Sequence, residues 1–177
     1  MPFETDRGND RALADNLKEW LTKEQQIEYC RLWRHGPNMA KYLGIQGLDH
    51  PHLLLTINLD REKSLGSLYQ QVLTLTPRIA SLTGALAVIE CVPHPHCHIL
   101  LDRPAGYKRS NLIRSIQRAL KLDRPELVDV QAGRSVQDYN NRRNYLEGTK
   151  SDPVKAARQE QDKELRDKAG VPHLFTL

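Results

Sequence analysis

Residues 88–104 read VIECVPHPHCHILLDRP and set His94, His96 and His98 at every second position, just before an apolar run. Three of the seven histidines fall within these five residues. Alternation of this kind belongs to an extended strand, whose successive side chains point to opposite faces. His94, His96 and His98 therefore share one face, while Pro95, Cys97 and Ile99 take the other. ALAVIEC (85–91) has the same apolar, β-branched character, and a short Pro-containing turn joins it to PHCHILLD (95–102). Residues 85–102 thus read as a β-hairpin.

On the N-terminal side, LLLTINL (53–59) reads as a short buried strand. Leu65, Leu68, Val72 and Leu75 follow at helical spacing, and Pro77 is expected to kink or end that helix. After the hairpin, YKRSNLIRSIQRALKL places Leu112, Ile116, Ala119 and Leu120 on one helical face. LVDVQ (127–131) is a fourth strand, and RSVQDYNNRRNYLEG a helix closed by Gly148. The order β-α-β-β-α-β-α defines an α+β fold, an antiparallel sheet of ferredoxin-like or RRM-like arrangement. Ahead of it, residues 9–34 carry Leu13, Leu17, Trp20, Leu21, Ile27, Cys30, Leu32 and Trp33 at amphipathic spacing, one or two helices. A Gly- and Pro-rich loop covers 35–52. The expected division is an N-terminal helical extension at 1–49, a core at 50–151 and a polar, helix-prone tail at 152–177.

Composition narrows the class. The chain has 177 residues, with 39% hydrophobic and 27% charged, which suits a folded globular protein. No apolar run approaches the roughly 20 residues a membrane-spanning helix needs, and the acidic start MPFETDRGND does not read as a signal peptide. Three cysteines, Cys30, Cys91 and Cys97, are an odd count without disulfide density, so an intracellular, reducing compartment is expected. A formal charge of +4 permits nucleic-acid binding without establishing it.

The histidine strand carries the chemistry. With Cys97 and Ile99 facing the core, the histidines project from the sheet face that the helices leave open. Glu90, late in the preceding strand, lies across the hairpin from them. Two imidazoles and a carboxylate make a divalent-metal site with open positions. Alternating histidines on an exposed strand are more often solvated polar residues when nothing else accompanies them. Further candidates for the third ligand are His94, beside the turn, and His50 and His52, ahead of the first strand.

Three separated motifs accompany them. PHCHILL resembles the paired-histidine motif of the HUH endonucleases, the rolling-circle replication initiators and their transposase and relaxase relatives. LLLTINL is similar to that family's first motif, and NYLEGTK to its third, a helix bearing a nucleophilic tyrosine followed by a lysine. The resemblance covers roughly residues 50–151. It implies a metal-dependent nuclease and strand transferase that breaks single-stranded DNA and leaves a 5′-phosphotyrosine link. His96, His98 and Glu90 would be metal ligands, for Mn²⁺ or Mg²⁺. Tyr145 would be the nucleophile and Lys150 its helper. The implied partner is single-stranded DNA at a replication origin, a stem-loop, with host replication proteins as further partners, in the cytoplasm or a host nucleus. The chain departs from the pattern in two places. Cys97 stands where a bulkier apolar residue is common, and Tyr145 and Lys150 lie five apart where Y-x-x-K is usual.

Tyr139, with Arg142 three residues on, is the other candidate nucleophile. Val136, Tyr139, Arg143 and Leu146 share one helical stripe and Tyr145 lies off it, which makes Tyr139 the packing residue of the two. Arg142 and Arg143 near the tyrosines, and Lys108 and Arg109 before the preceding helix, are candidate phosphate contacts. Two other readings stay open: a zinc-stabilised module using Cys91, His94, His96, Cys97 and His98, or a non-catalytic RRM-like nucleic-acid binder. EGTKSD lacks the glycines and preceding strand of a phosphate-binding loop, so a nucleotide-driven helicase is not expected.

Overall fold

The computed structural model describes residues 7–32, 36–46, 49–148 and 150–177. They form two compact units, one of residues up to His50 with Arg134–Asn141, the other of Pro51–Gly133 with Arg142–Leu177.

The first unit holds α1 (Arg7–Trp20), α2 (Lys23–Leu32) and α3 (Gly36–Leu43). Ala14, Cys30, Met39, Ala40 and Leu43 form its buried cluster. The apolar stripe expected here is only partly used, since Leu13, Trp20 and Leu32 stay exposed, while Trp33 lies outside the described residues. Helix α3 occupies part of the expected loop. A Cβ at Gly36 would sit 1.8 Å from the Cys30 carbonyl oxygen, so glycine lets α3 start against α2.

The second unit is built on a five-stranded sheet. In chain order it contains β1 (Asp49–Asn58), which begins in the first unit, then α4 (Leu65–Leu73), α5 (Leu75–Arg78), β2 (Leu86–Glu90) and β3 (His96–Asp102). These are followed by α6 (Arg109–Leu120), β4 (Val128–Ser135) and α7 (Val136–Glu147), of which Arg134–Asn141 belongs to the first unit, then α8 (Pro153–Ala169) and β5 (Phe175–Thr176). The strand order is β4-β1-β3-β2-β5, and β1–β3, β2–β3 and β2–β5 pair antiparallel. The expected α+β core with two helical connections is therefore present. Helix α4 ends at Thr74 rather than at Pro77; Pro77 falls within α5, where an opening turn needs no N–H from it.

Leu53, Leu55 and Ile57 of β1, Ala87 and Ile89 of β2 and Cys97, Ile99 and Leu101 of β3 point into one core with Leu68, Val72 and Ile116 of the helices. Each fully buried Leu or Ile there contributes on the order of 1.5–3 kcal/mol. Register then fixes the opposite face: Asn58 and Glu90 flank His96, and Thr56 and Val88 flank His98. That face is not open as expected, because Val88 and Leu100 are 3% and 2% exposed.

Residues 152–177 are not a tail outside the core. Asp152 accepts from the Lys155 N–H and caps α8, Gly170 closes it, and Phe175 enters the sheet's core. Asp162 and Arg166 are buried. Both act on the edge of β2: β5 pairs with Leu86 and Ala87, and beyond it the Arg166 guanidinium donates to Ile89 O at 2.8 Å. Asp162 Oδ1 accepts from the backbone N–H of Cys91 and Val92. Two side chains one helical turn apart thus take the place of a strand along an edge that would otherwise be unpaired.

Candidate metal centre

Strand alternation and register bring Glu90, His96 and His98 together on one face, with a ligand atom from each lying within 4.8 Å of the others. His96 Nε2 is 3.1 Å and His98 Nε2 3.8 Å from Glu90 Oε2. The other nitrogen of each imidazole is anchored. His96 Nδ1 lies 2.8 Å from His94 O, and since a carbonyl only accepts, that nitrogen carries hydrogen. His98 Nδ1 lies 3.0 Å from Thr56 Oγ1. Both rings therefore turn Nε2 toward one carboxylate oxygen, the arrangement that holds histidine ligands on a metal. The group could bind a metal ion, and its donor set fits a divalent one.

The side chains of Glu90, His96 and His98 are 10%, 13% and 11% exposed, and that of Lys150 is 5% exposed. Lys150 Nζ donates to Glu90 Oε1 in a short contact. Burial alone would raise the Glu90 carboxyl, but hydrogen bonds from His96 and Lys150 hold it down at about 2. Burial also opposes charge on His96, yet its bond to Glu90 wins and raises its pKa. Burial and the neighbouring His96 push His98 down to about 4. The cluster thus combines a carboxylate, a neutral imidazole and an imidazole held toward its charged form.

Tyr145 of α7 lies edge-on to His98, ring centroids 5.8 Å apart at 79°. Lys150 Nζ sits 4.4 Å and Lys155 Nζ 6.0 Å from the centre of its ring. The five-residue spacing from Tyr145 to Lys150 therefore does bring the ammonium to the tyrosine, because α7 has ended at Glu147 and the chain turns back. Gly148 sits in this turn at φ +101°, and a Cβ there would lie 2.0 Å from Gln159 Nε2 of α8. Tyr139 is elsewhere engaged, stacked on His50 at 3.7 Å and 17°.

The remaining candidates divide. His94 faces Asn58 Oδ1 at 3.2 Å and helps hold His96 through its own carbonyl. His52 is not in a solvated loop but fully buried in β1, and His50 starts the same strand. Cys97 lies in the core, where burial raises its thiol, so it cannot join the histidines on a zinc ion. Of the proposed phosphate contacts, Arg109 donates to Val130 O and pairs with Asp129, and Arg142 donates to Gln131 O. Both are tied to β4. Arg143 pairs with Glu147 at 2.9 Å, and Lys108 is exposed at the start of α6.

Sequence reading passed over Lys155, Gln159, Asp162 and Arg166, the face of α8 that meets the turn after α7 and the edge of β2. Their spacing of four, three and four residues was the available signal, but the stripe is polar and resembles a solvated surface. No helix among the described residues is long and apolar enough to cross a membrane. No family model, curated protein or solved structure matches the chain.

Proposed function

We propose that this chain is a metal-dependent endonuclease and strand transferase acting on single-stranded DNA, with Tyr145 as nucleophile. The observation that carries the reading is the convergence, on one sheet face, of a Glu-His-His group with a tyrosine and a lysine. Glu90, His96 and His98 would hold the metal, Mn²⁺ or Mg²⁺ by the chemistry of the reaction. Bound there, a divalent ion supplies Lewis-acid neutralisation of phosphate charge.

The protein's own groups supply the rest. Tyr145 Oη attacks the phosphorus, its proton leaves to solvent, and the bond to the 3′ oxygen breaks. The departing oxygen takes up a proton, so the products are a 5′-phosphotyrosine and a free 3′-hydroxyl. Lys150 sets positive charge over the ring of the attacking tyrosine, which favours the developing phenolate. The His94 carbonyl keeps His96 in the tautomer that leaves Nε2 free to ligate, and Thr56 holds the orientation of the His98 ring. The free 3′ end suits priming of synthesis, and reversal suits closing a circle, so initiation of rolling-circle replication is the proposed role.

The burial of the centre favours a second reading, a metal-stabilised nucleic-acid-binding module without catalysis. One experiment separates the two. The protein is incubated with a randomised single-stranded DNA pool and Mn²⁺, with and without EDTA, and run on a denaturing gel. A covalent band lost with EDTA supports the nuclease. A pool that binds but yields no band, with a melting temperature lowered by EDTA, moves the conclusion to the binding module.

A further inference from the structure

A cleft of about 810 Å³ lies beside the metal centre, lined in part by Asn58, Arg61, Lys63, Arg78, His94 and Lys121. Its rim is continuous with the centre: His94 and Asn58 contact each other, and the His94 and His96 rings are 5.4 Å apart. The walls are basic. Arg61, Lys63, Arg78, Lys121 and Arg124 line the cleft against two carboxylates, Asp60 and Asp123. Asp60 Oδ1 accepts from the Glu62 N–H, and Asp123 lies 3.9 Å from Arg124. Arg61 and Lys121 have no carboxylate within ion-pair distance among the described residues.

Two helix ends meet the cleft, and neither opposes this sign. Helix α6 ends at the cleft, and its last carbonyls would present negative potential there. Arg78 donates to Ala119 O at 3.1 Å and Gln71 to Leu120 O at 2.9 Å, which satisfies two of these carbonyls and sets a guanidinium against them. Ser67, in the first turn of α4, also lines the cleft, at the positive end of its helix. No Phe, Tyr or Trp lines it, so stacking on bases has no platform there.

We infer that this cleft, opening beside His96, binds the phosphodiester backbone of single-stranded nucleic acid next to the site of cleavage, with Arg61 and Lys121 as its free phosphate contacts. The inference rests on the nuclease reading for its choice of ligand. Contact through charge alone makes this subsite indifferent to base sequence, while His94 and Asn58 mark where the strand passes from cleft to metal centre.

The test uses fluorescently labelled dT20 in EDTA, so that binding is measured without metal or cleavage. Affinity is followed against salt for the wild type, for R61Q/K121Q, and for R114Q, an exposed arginine of α6 outside the cleft. Each phosphate contact to a single strand contributes about 0.7 to the salt slope, so the double variant should lose about 1.4 and bind on the order of ten-fold more weakly at 0.1 M salt. R114Q should keep the wild-type slope. Equal slopes in the wild type and the double variant, or a wild type that does not bind dT20, would overturn the cleft. The adduct assay reports separately on the nuclease: an adduct with unchanged slopes keeps the enzyme and removes the cleft. A changed slope without any adduct keeps the cleft as a nucleic-acid site and removes the enzyme.

Discussion

Helix α7 carries two tyrosines six residues apart, and each lies against a histidine. Tyr139 and His50 are stacked nearly flat, centroids 3.7 Å apart at 17°, so each ring covers a face of the other. Tyr145 meets His98 by its edge at 5.8 Å and 79°, and its face is given to the ammonium of Lys150. The residue pair is the same, but the electrostatics differ. Flat stacking gains dispersion and holds the helix, whereas the Tyr145 ring meets its histidine by an edge and has two ammonium groups near it. His98 is also one of the Glu-His-His group, whereas His50 is not.

Removing one hydroxyl at a time separates the roles of the two rings. Tyr145→Phe should lower covalent adduct formation with Mn²⁺ by at least ~10³-fold, the scale on which loss of a nucleophile is felt. Tyr139→Phe keeps the stack and should keep the adduct. The reverse pattern on the same gel would exchange the roles of the two rings. A smaller effect is expected from Thr56→Val, which removes the oxygen beside His98 Nδ1 and leaves that ring free to turn. Removal of such a partner weakens metal binding by about 10–100-fold. Calorimetric titration with Mn²⁺ checks it; an unchanged affinity would mean that Thr56 does not orient the ligand.

The hairpin and the strand and helix order around it were legible because each rests on a local period: two for the strands, near 3.6 for α4 and α6. The Glu-His-His face followed from the same alternation, since register places Glu90 beside His96 once the turn is short. What escaped was written in polar residues or in very few. Strand β5 has two residues, too few for any period. The inward stripe of α8 is Gln159, Asp162 and Arg166, so a rule that equates polar with solvent reads it backwards. His50 and His52 hid the start of β1 for the same reason, although His52 is fully buried. Arg61 carries no motif, and only the cleft gives it meaning.

The Lys150 ammonium already neutralises the carboxylate a metal would use. Lys150→Met removes a cation next to the site. Mn²⁺ should then bind about ten-fold or more tightly, since like charges a few ångströms apart repel by more than 1 kcal/mol even in a polar interior. The same titration decides it, and unchanged or weaker binding would place Lys150 among the groups that build the site.

The smallest effect is a proton count. His96 Nδ1 donates to a carbonyl and Nε2 faces a carboxylate, so in the metal-free protein the ring is held toward its doubly protonated form, with a pKa raised above 6.5. His98 is pushed down to about 4 and is neutral at any working pH. A metal that takes His96 Nε2 must displace its proton. A raised folded pKa means that the His96–Glu90 contact stabilises the metal-free protein below pH 6.5 and is lost as pH rises through the folded pKa. Metal affinity therefore climbs with pH through the same window, then levels off. Titrations at pH 6.5 in buffers of different ionisation enthalpy should show between about half a proton and one released per metal, falling toward none well above the His96 pKa. Release of two would place His98 in the charged state as well. Release of none at pH 6.5 would mean that the imidazole facing Glu90 carries no exchangeable proton, and that the two imidazoles do not differ in charge before the metal arrives.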